Sequence, residues 1–121
     1  MDFSATSTRL PDDVALISVS GEIDVYTAPA LRERLIDAAN DGATRLIVDL
    51  TRVDFMDSTA LGVLVGGLKR MRTNDGDLVL VCTAERLLRL FRITRLNEVL
   101  PIVPDLPSAR SWRAPDAFRK S

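Results

Sequence analysis

Residues 44–73 read TRLIVDLTRVDFMDSTALGVLVGGLKRMRT, and the fold turns on how this stretch divides. Residues 44–50 form a short apolar run, too short for a helix of its own, and predict a buried strand. RVDFMD, 52–57, carries alternating charges and predicts a loop. From Ser58 the apolar residues Leu61, Leu64, Val65, Leu68 and Met71 recur at helical spacing, which predicts a helix over 58–72 capped by Asp57 or Ser58. Lys69, Arg70 and Arg72 fall in its last turns, where the helix dipole favours cations.

The same division works outward in both directions. Upstream, residues 28–41 predict a helix with Thr27 as N-cap, Pro29 in the first turn and Gly42 as its stop; Leu31, Leu35, Ile36 and Ala39 form its apolar stripe. Before it stand an edge strand at 3–10, a Pro11-Asp12-Asp13 turn, and a strand at 14–20 closed by Gly21. Downstream come a turn at Asn74-Asp75-Gly76 and a strand, DLVLVC, at 77–82. A helix follows, capped by Thr83, with Leu87, Leu88, Leu90, Phe91 and Ile93 apolar; a last strand lies in VLPIV, 99–103. The order ββαβαβαβ implies an α/β fold with a mixed, mostly parallel sheet of four to five strands. From 104 onward the composition shifts, with three of the six prolines at Pro104, Pro107 and Pro115. The expected organisation is therefore a domain over 1–104 and a loosely structured tail over 105–121, with a short helical turn. Trp112 and Phe118 are expected to dock that tail on the body, and residues beyond about 108 to be removable at modest loss of stability.

A chain of 121 residues makes one domain. Sixteen basic against 17 acidic residues, a net charge of −1, argue against nonspecific binding to nucleic acid or acidic membranes. No apolar run approaches the length that spans a bilayer, and the first residues show no basic and apolar leader pattern, so the expected location is the cytoplasm. Histidine is absent, which removes Ser/His and Cys/His catalysis and imidazole metal ligands. The single cysteine, Cys82, ends an apolar run and reads as a buried free thiol. No metal site and no cofactor are expected.

The chemistry that remains lies in DFMDSTALGVLVGG, 54–67. It sets a serine and a threonine where a strand-following segment starts a helix, among unpaired N–H groups at the positive end of the dipole. Three readings stand together there: helix capping by Asp57, Ser58 and Thr59, a modifiable or partner-binding serine, and an enzyme nucleophile. The last has neither a histidine base nor a G-x-S-x-G turn. Gly62 and Gly66, four apart on one helix face, make a strip free of side chains beside Ser58, suited either to packing on the sheet or to close approach of another protein. G-x-x-x-x-G-K-[ST] is missing, so the segment is no phosphate-binding loop. Asp49, ending its strand, lacks the acidic pair and late lysine of a response-regulator receiver and reads as a loop-anchoring carboxylate.

GEID at 21–24, LIVDL at 46–50 and DFMDSTALGVLV at 54–65 together resemble the STAS domain, and within it the small bacterial anti-sigma factor antagonists of stress-response and developmental sigma factors. The resemblance covers roughly residues 5–103, and LLRLFRITRL looks like the family's third helix and following turn. It implies helices mainly on one face of the sheet. It also implies that Ser58 is the phosphorylation site, with Thr59 as a second candidate, that Asp57 helps shape the site, and that Asp24 lies near the serine. The partner-binding set is then Asp24, Asp57, Thr59, Gly62 and Gly66. The implied partners are an anti-sigma factor that is also an ATP-dependent serine kinase, which the unphosphorylated antagonist draws off its sigma factor, and a metal-dependent serine phosphatase. A weak homodimer is a further candidate assembly. The chain would be a substrate and binding module, not an enzyme. The rival is a STAS scaffold or sensor module in a signalling complex, binding a nucleotide or small ligand. Two departures stand out. Arg95 occupies a turn where many members carry glycine, which implies a left-handed arginine or a different turn. The prolines after Val103 imply that the family's final helix is short or lost.

Overall fold

The computed structural model describes residues 2–115, so Phe118 lies outside the described residues. Five strands form one sheet in the order β1-β2-β3-β4-β5. These are β1 (Ser4–Leu10), β2 (Val14–Ile23), β3 (Arg45–Met56), β4 (Asp77–Val81) and β5 (Ile102–Val103). β1 runs antiparallel to β2 and every later pair is parallel. The helices are α1 (Ala28–Asn40), α2 (Ser58–Thr73), α3 (Glu85–Ile93) and the short α4 (Leu106–Ser111), with a 3₁₀ turn at Leu96–Glu98. Among them, α1, α2 and α3 cover one face and α4 the other.

The central strands are apolar throughout because both of their faces are covered. In β3 and β4, Leu46, Val48, Leu50, Leu78 and Leu80 meet the three-helix layer, while Ile47, Val79 and Val81 meet α4. Within that layer α1 buries Ala28, Leu31, Leu35 and Ala38, so Ile36 and Ala39 stand on the shoulder of the stripe. In α2, Leu61, Leu64, Leu68 and Met71 are buried and Val65 is half-buried. α3 inserts Leu87 and Phe91, whereas Ile93 is exposed. Cys82 is a buried free thiol, and burial pushes its pKa up against the lowering pull of the Ala84 N–H, which keeps it protonated.

Several boundaries differ from the sequence expectation, each for a local reason. RVDFMD is not a loop: β3 continues to Met56, paired with β2 through Ser20↔Arg52, Gly21↔Val53, Glu22↔Phe55 and Ile23↔Met56. Register shifts between Ser18 and Ser20 and between Gly21 and Glu22 break the alternation that would have marked the strand. Asp49 anchors the first shift, its Oδ1 accepting from the Thr51 N–H at 2.9 Å and the Thr51 hydroxyl at 2.7 Å. Gly21 does not close β2. It sits inside the strand at φ +91°, and any Cβ there would collide with the Asp2 carbonyl oxygen. Thr83 does not cap α3; the extended Ala84 holds that position, and its carbonyl accepts from Leu87 and Leu88 at 3.0 Å. In VLPIV only Ile102 and Val103 pair, since Pro101 has no N–H to donate, though its carbonyl accepts from Leu80 at 2.8 Å. Arg95 is left-handed at φ 63°, ψ 15°, in the turn where glycine was to be expected.

The final helix is short and not lost. Asp105 caps α4 by accepting the Ser108 N–H at 2.8 Å, Ala109 is fully buried, and Trp112 is half-buried against the same apolar cluster as Val14, Ile47 and Val79. Arg45 donates to the Arg110 carbonyl at 2.9 Å, a cation on the carbonyls that end α4. Among the described residues no helix is long and apolar enough to cross a membrane.

Candidate functional site

The parallel strands β2, β3 and β4 end on one side of the sheet, and α1, α2 and α3 begin there. In parallel α/β sheets this is the edge where loops converge and helix N-termini point. Asp57 occupies the N-cap of α2 in extended conformation, its Oδ1 accepting from Thr59 N–H at 2.9 Å and Ala60 N–H at 3.2 Å. Its own N–H donates to the Ile23 carbonyl at 3.2 Å, which stitches the end of β2 to the start of α2. Ser58 is therefore the first helical residue. It is exposed, and its hydroxyl has no hydrogen-bond partner among the described residues. Capping belongs to Asp57 alone. Thr59 is also exposed.

Asp24 reaches the same end of the sheet through the Ile23 link, but its carboxylate is engaged. Oδ1 accepts from Tyr26 N–H at 2.9 Å and Thr27 N–H at 3.1 Å. Thr27 stands at the N-cap of α1 yet makes no side-chain cap. Its hydroxyl turns back instead, donating to the Glu22 carbonyl at 2.8 Å and accepting from Asp24 N–H at 2.9 Å. The local pattern that suggested a cap is thus a closed loop of hydrogen bonds over residues 22–27.

The glycines separate by role. A Cβ on Gly62 or Gly66 would meet nothing within 4 Å, whereas one on Gly67 would lie 3.0 Å from Leu35 Cδ1 and Leu78 Cδ1. Close packing on the sheet is the work of Gly67. Gly62 and Gly66 instead face a groove of about 700 Å³ between α1 and α2, walled also by Ile36, Val63, Arg32 and Arg70. Thr59 stands among its lining residues, so the groove reaches the turn that carries Ser58.

The sequence reading missed three residues at this end. Val25 is 57% exposed, Tyr26 87% and Phe55 47%. An apolar pair directly after GEID, between a strand and a helix, was the available signal. Phe55 was hidden by the reading of its segment as a loop. Beside Phe55 lie Glu22 and Asp54, with Arg86 donating to the Asp54 carbonyl.

Comparison with known proteins agrees with this architecture. The STAS domain family model matches residues 5–109. An anti-sigma-B factor antagonist from Bacillus subtilis (strain 168) is 49% identical over 75 residues, 62% of this chain and 68% of the relative. A protein of the same description from Staphylococcus epidermidis is 44% identical over 80 residues, 66% of this chain and 74% of the relative. Among solved structures, an anti-sigma factor antagonist from Mycobacterium paratuberculosis superposes with a TM-score of 0.83 at 28% identity, covering 91% of this chain and 92% of that one. The β2–α1 corner, the Asp57-capped start of α2 and the sheet order all lie within the matched span, and the chain belongs to the STAS domain family.

Proposed function

We propose that this chain is an anti-sigma factor antagonist working by a partner switch in the cytoplasm. Unphosphorylated, it binds an anti-sigma factor with serine kinase activity and so frees the sigma factor; phosphorylation of Ser58 switches it off, and a serine phosphatase restores it. The relatives' description as anti-sigma-B factor antagonists supports the first half. The observation that carries the second is the exposed Ser58 hydroxyl, which has no hydrogen-bond partner among the described residues because Asp57 does the capping. The chain supplies the nucleophile and the partner supplies the catalysis. A bond forms between Ser58 Oγ and the γ-phosphorus of ATP as the bond to the bridging oxygen breaks, ADP departs, and the hydroxyl proton passes to a base on the kinase. A helix N-terminus accommodates the added charge, so the fold survives the modification. Asp24, Asp57, Thr59, Gly62 and Gly66 frame the partner surface, the glycines allowing close backbone approach along the groove.

Incubation with ATP and purified candidate anti-sigma kinases, followed by intact mass and phosphosite mapping, tests the reading. One phosphate on Ser58 and loss of kinase binding by the product are expected. Phosphate on Thr59 alone, or equal binding by both forms, overturns it.

A further inference from the structure

β3 runs for 12 residues, but only its first five, residues 45–49, pair with β4. Beyond Asp49 the strand keeps β2 on one side, through two register shifts, and has no strand neighbour on the other among the described residues. Unpaired edges of this kind belong to the parts of a fold that open first, because their carbonyl and N–H groups exchange partners readily with water. This half-paired end leads straight into Asp57 and Ser58. The place of the Ser58 hydroxyl therefore depends on what holds the open edge.

α3 supplies a hold. Arg86 donates through Nη2 to the Asp54 carbonyl at 2.5 Å, a charge-assisted bond from the first turn of α3 to the open edge. The helix itself has no use for this cation. Leu87 and Phe91 do the burying, Glu85 pairs with Arg92, and positive charge in a first turn opposes the helix dipole. The hollow that Arg86 shares with Glu22, Asp54 and Phe55 contains two carboxylates, which favour a guanidinium staying there.

We propose that Arg86 is a positioning residue for the phosphorylation of Ser58. By tying α3 to the Asp54 carbonyl it keeps the end of β3, and with it the Asp57-capped start of α2, in the arrangement that presents the hydroxyl to the kinase. It touches neither the hydroxyl nor the nucleotide. The inference rests on the antagonist reading and names a residue that serves its switch. A reacting group displaced by about 1 Å costs on the order of a hundredfold in rate, so one tether on the strand that leads into the cap is enough to matter.

The probe is an anti-sigma kinase that phosphorylates the wild-type chain, with phosphorylation kinetics, thermal melting and amide hydrogen exchange as readouts. Arg86→Ala is expected to lower kcat about tenfold or more, with KM within about threefold and the melting temperature within about 3 °C of wild type. Arg86→Lys keeps a cation able to donate to the carbonyl and is expected to recover most of kcat. Arg110→Ala removes the same charge from α4, on the other face of the sheet, and is expected to change nothing. In Arg86→Ala the amides of Asp57, Thr59 and Ala60, all hydrogen-bonded at this corner, should exchange faster, while those of Leu64 and Leu68 in the body of α2 stay as they were. Wild-type kcat in Arg86→Ala overturns the proposal. So does a rise in KM alone, which would make Arg86 a contact of the kinase, and so does faster exchange along the whole of α2, which would make it a general brace of the fold. If no kinase phosphorylates the wild type, the antagonist reading fails; unchanged exchange at Asp57, Thr59 and Ala60 in Arg86→Ala overturns the positioning role independently of any kinase.

Discussion

The Asp57 carboxylate accepts two N–H groups that α2 would otherwise leave unpaired. Loss of such a cap costs about 1 kcal/mol. Asp57→Ala should therefore lower the melting temperature by roughly 3–6 °C for a domain of this size. A smaller drop would mean that Ser58 takes over the cap, and the variant should then also be a poorer kinase substrate. Ser58 itself carries the second expectation. Ser58→Ala should be unphosphorylatable and still bind the anti-sigma factor. Phosphate adds a charge of about −1.5 to −2, and like charges ~7 Å apart repel by roughly 1–5 kcal/mol across plausible dielectrics. A ten- to thousandfold loss of affinity for the phosphorylated protein follows. Ser58→Asp should lie between wild type and phosphoprotein, since one carboxylate carries less charge. Titration calorimetry of the four forms against one kinase gives the order directly; Ser58→Ala binding as weakly as the phosphoprotein would break the argument.

At the scale of elements, α2 is legible in the sequence because its period, its cap and its basic last turns agree. β3 beyond Leu50 is not, because two register shifts interrupt its alternation and its exposed side chains include Arg52, Asp54 and Phe55. Thr27 misleads for a different reason: its hydroxyl donates to the Glu22 carbonyl and accepts from the Asp24 N–H, so it caps no helix N–H. Likewise the place of Ser58 could be read from DSTALG, while the groove could not, since it depends on which glycine faces α1. That difference is testable. Gly66 is open and helical, so Gly66→Ala should gain about 0.5–1 kcal/mol in urea denaturation. Gly67→Ala places a methyl 3.0 Å from two leucine carbons and should lose about 1–3 kcal/mol by overpacking. Gly66→Leu should keep the fold and remove anti-sigma binding, and the opposite stability order of Gly66→Ala and Gly67→Ala would show the faces to be exchanged. α4 offers a pH test. Hydrogen bonding from Ser108, side chain first and then backbone N–H, holds the Asp105 pKa below its ordinary 3.8. Its capping contribution is thus present above that value and lost as pH falls through the lower folded value. The emission of Trp112, the sole tryptophan, should shift to the red over that window, and Asp105→Asn should abolish the shift.

Across the whole molecule, the back of the sheet explains why so short a final helix suffices. The β1–β2 part of that face is polar at one end, with Ser4 opposite Ser20 and Thr6 opposite Ser18, and that end asks for no cover. The buried apolar area centres on Val14, Ile47, Val79 and Val81, with Leu10, Leu16 and Val103 at its margin, and Ala109, Leu106 and Trp112 pack over it. Composition alone pointed to a dispensable segment beyond residue 108, because prolines interrupt any long apolar period. The packing points the other way. Ending the chain at Pro107 removes Trp112 and Ala109 and uncovers buried valine and isoleucine. At ~25 cal/mol per Å² of apolar surface, and with a half-buried tryptophan contributing on the order of 100 Å², the loss is about 3 kcal/mol or more. The melting temperature should fall by roughly 10 °C or more. Trp112→Ala in the full chain should account for most of that drop, and a fall under about 3 °C for the shortened chain would show that α4 adds little to the core. The Ser58 corner is built by β2, β3 and α2 without α4. Below its melting temperature the shortened chain should therefore still accept phosphate on Ser58 at the wild-type rate. A large drop in that rate at a temperature where circular dichroism shows full folding would mean that the back of the sheet and the switch are coupled.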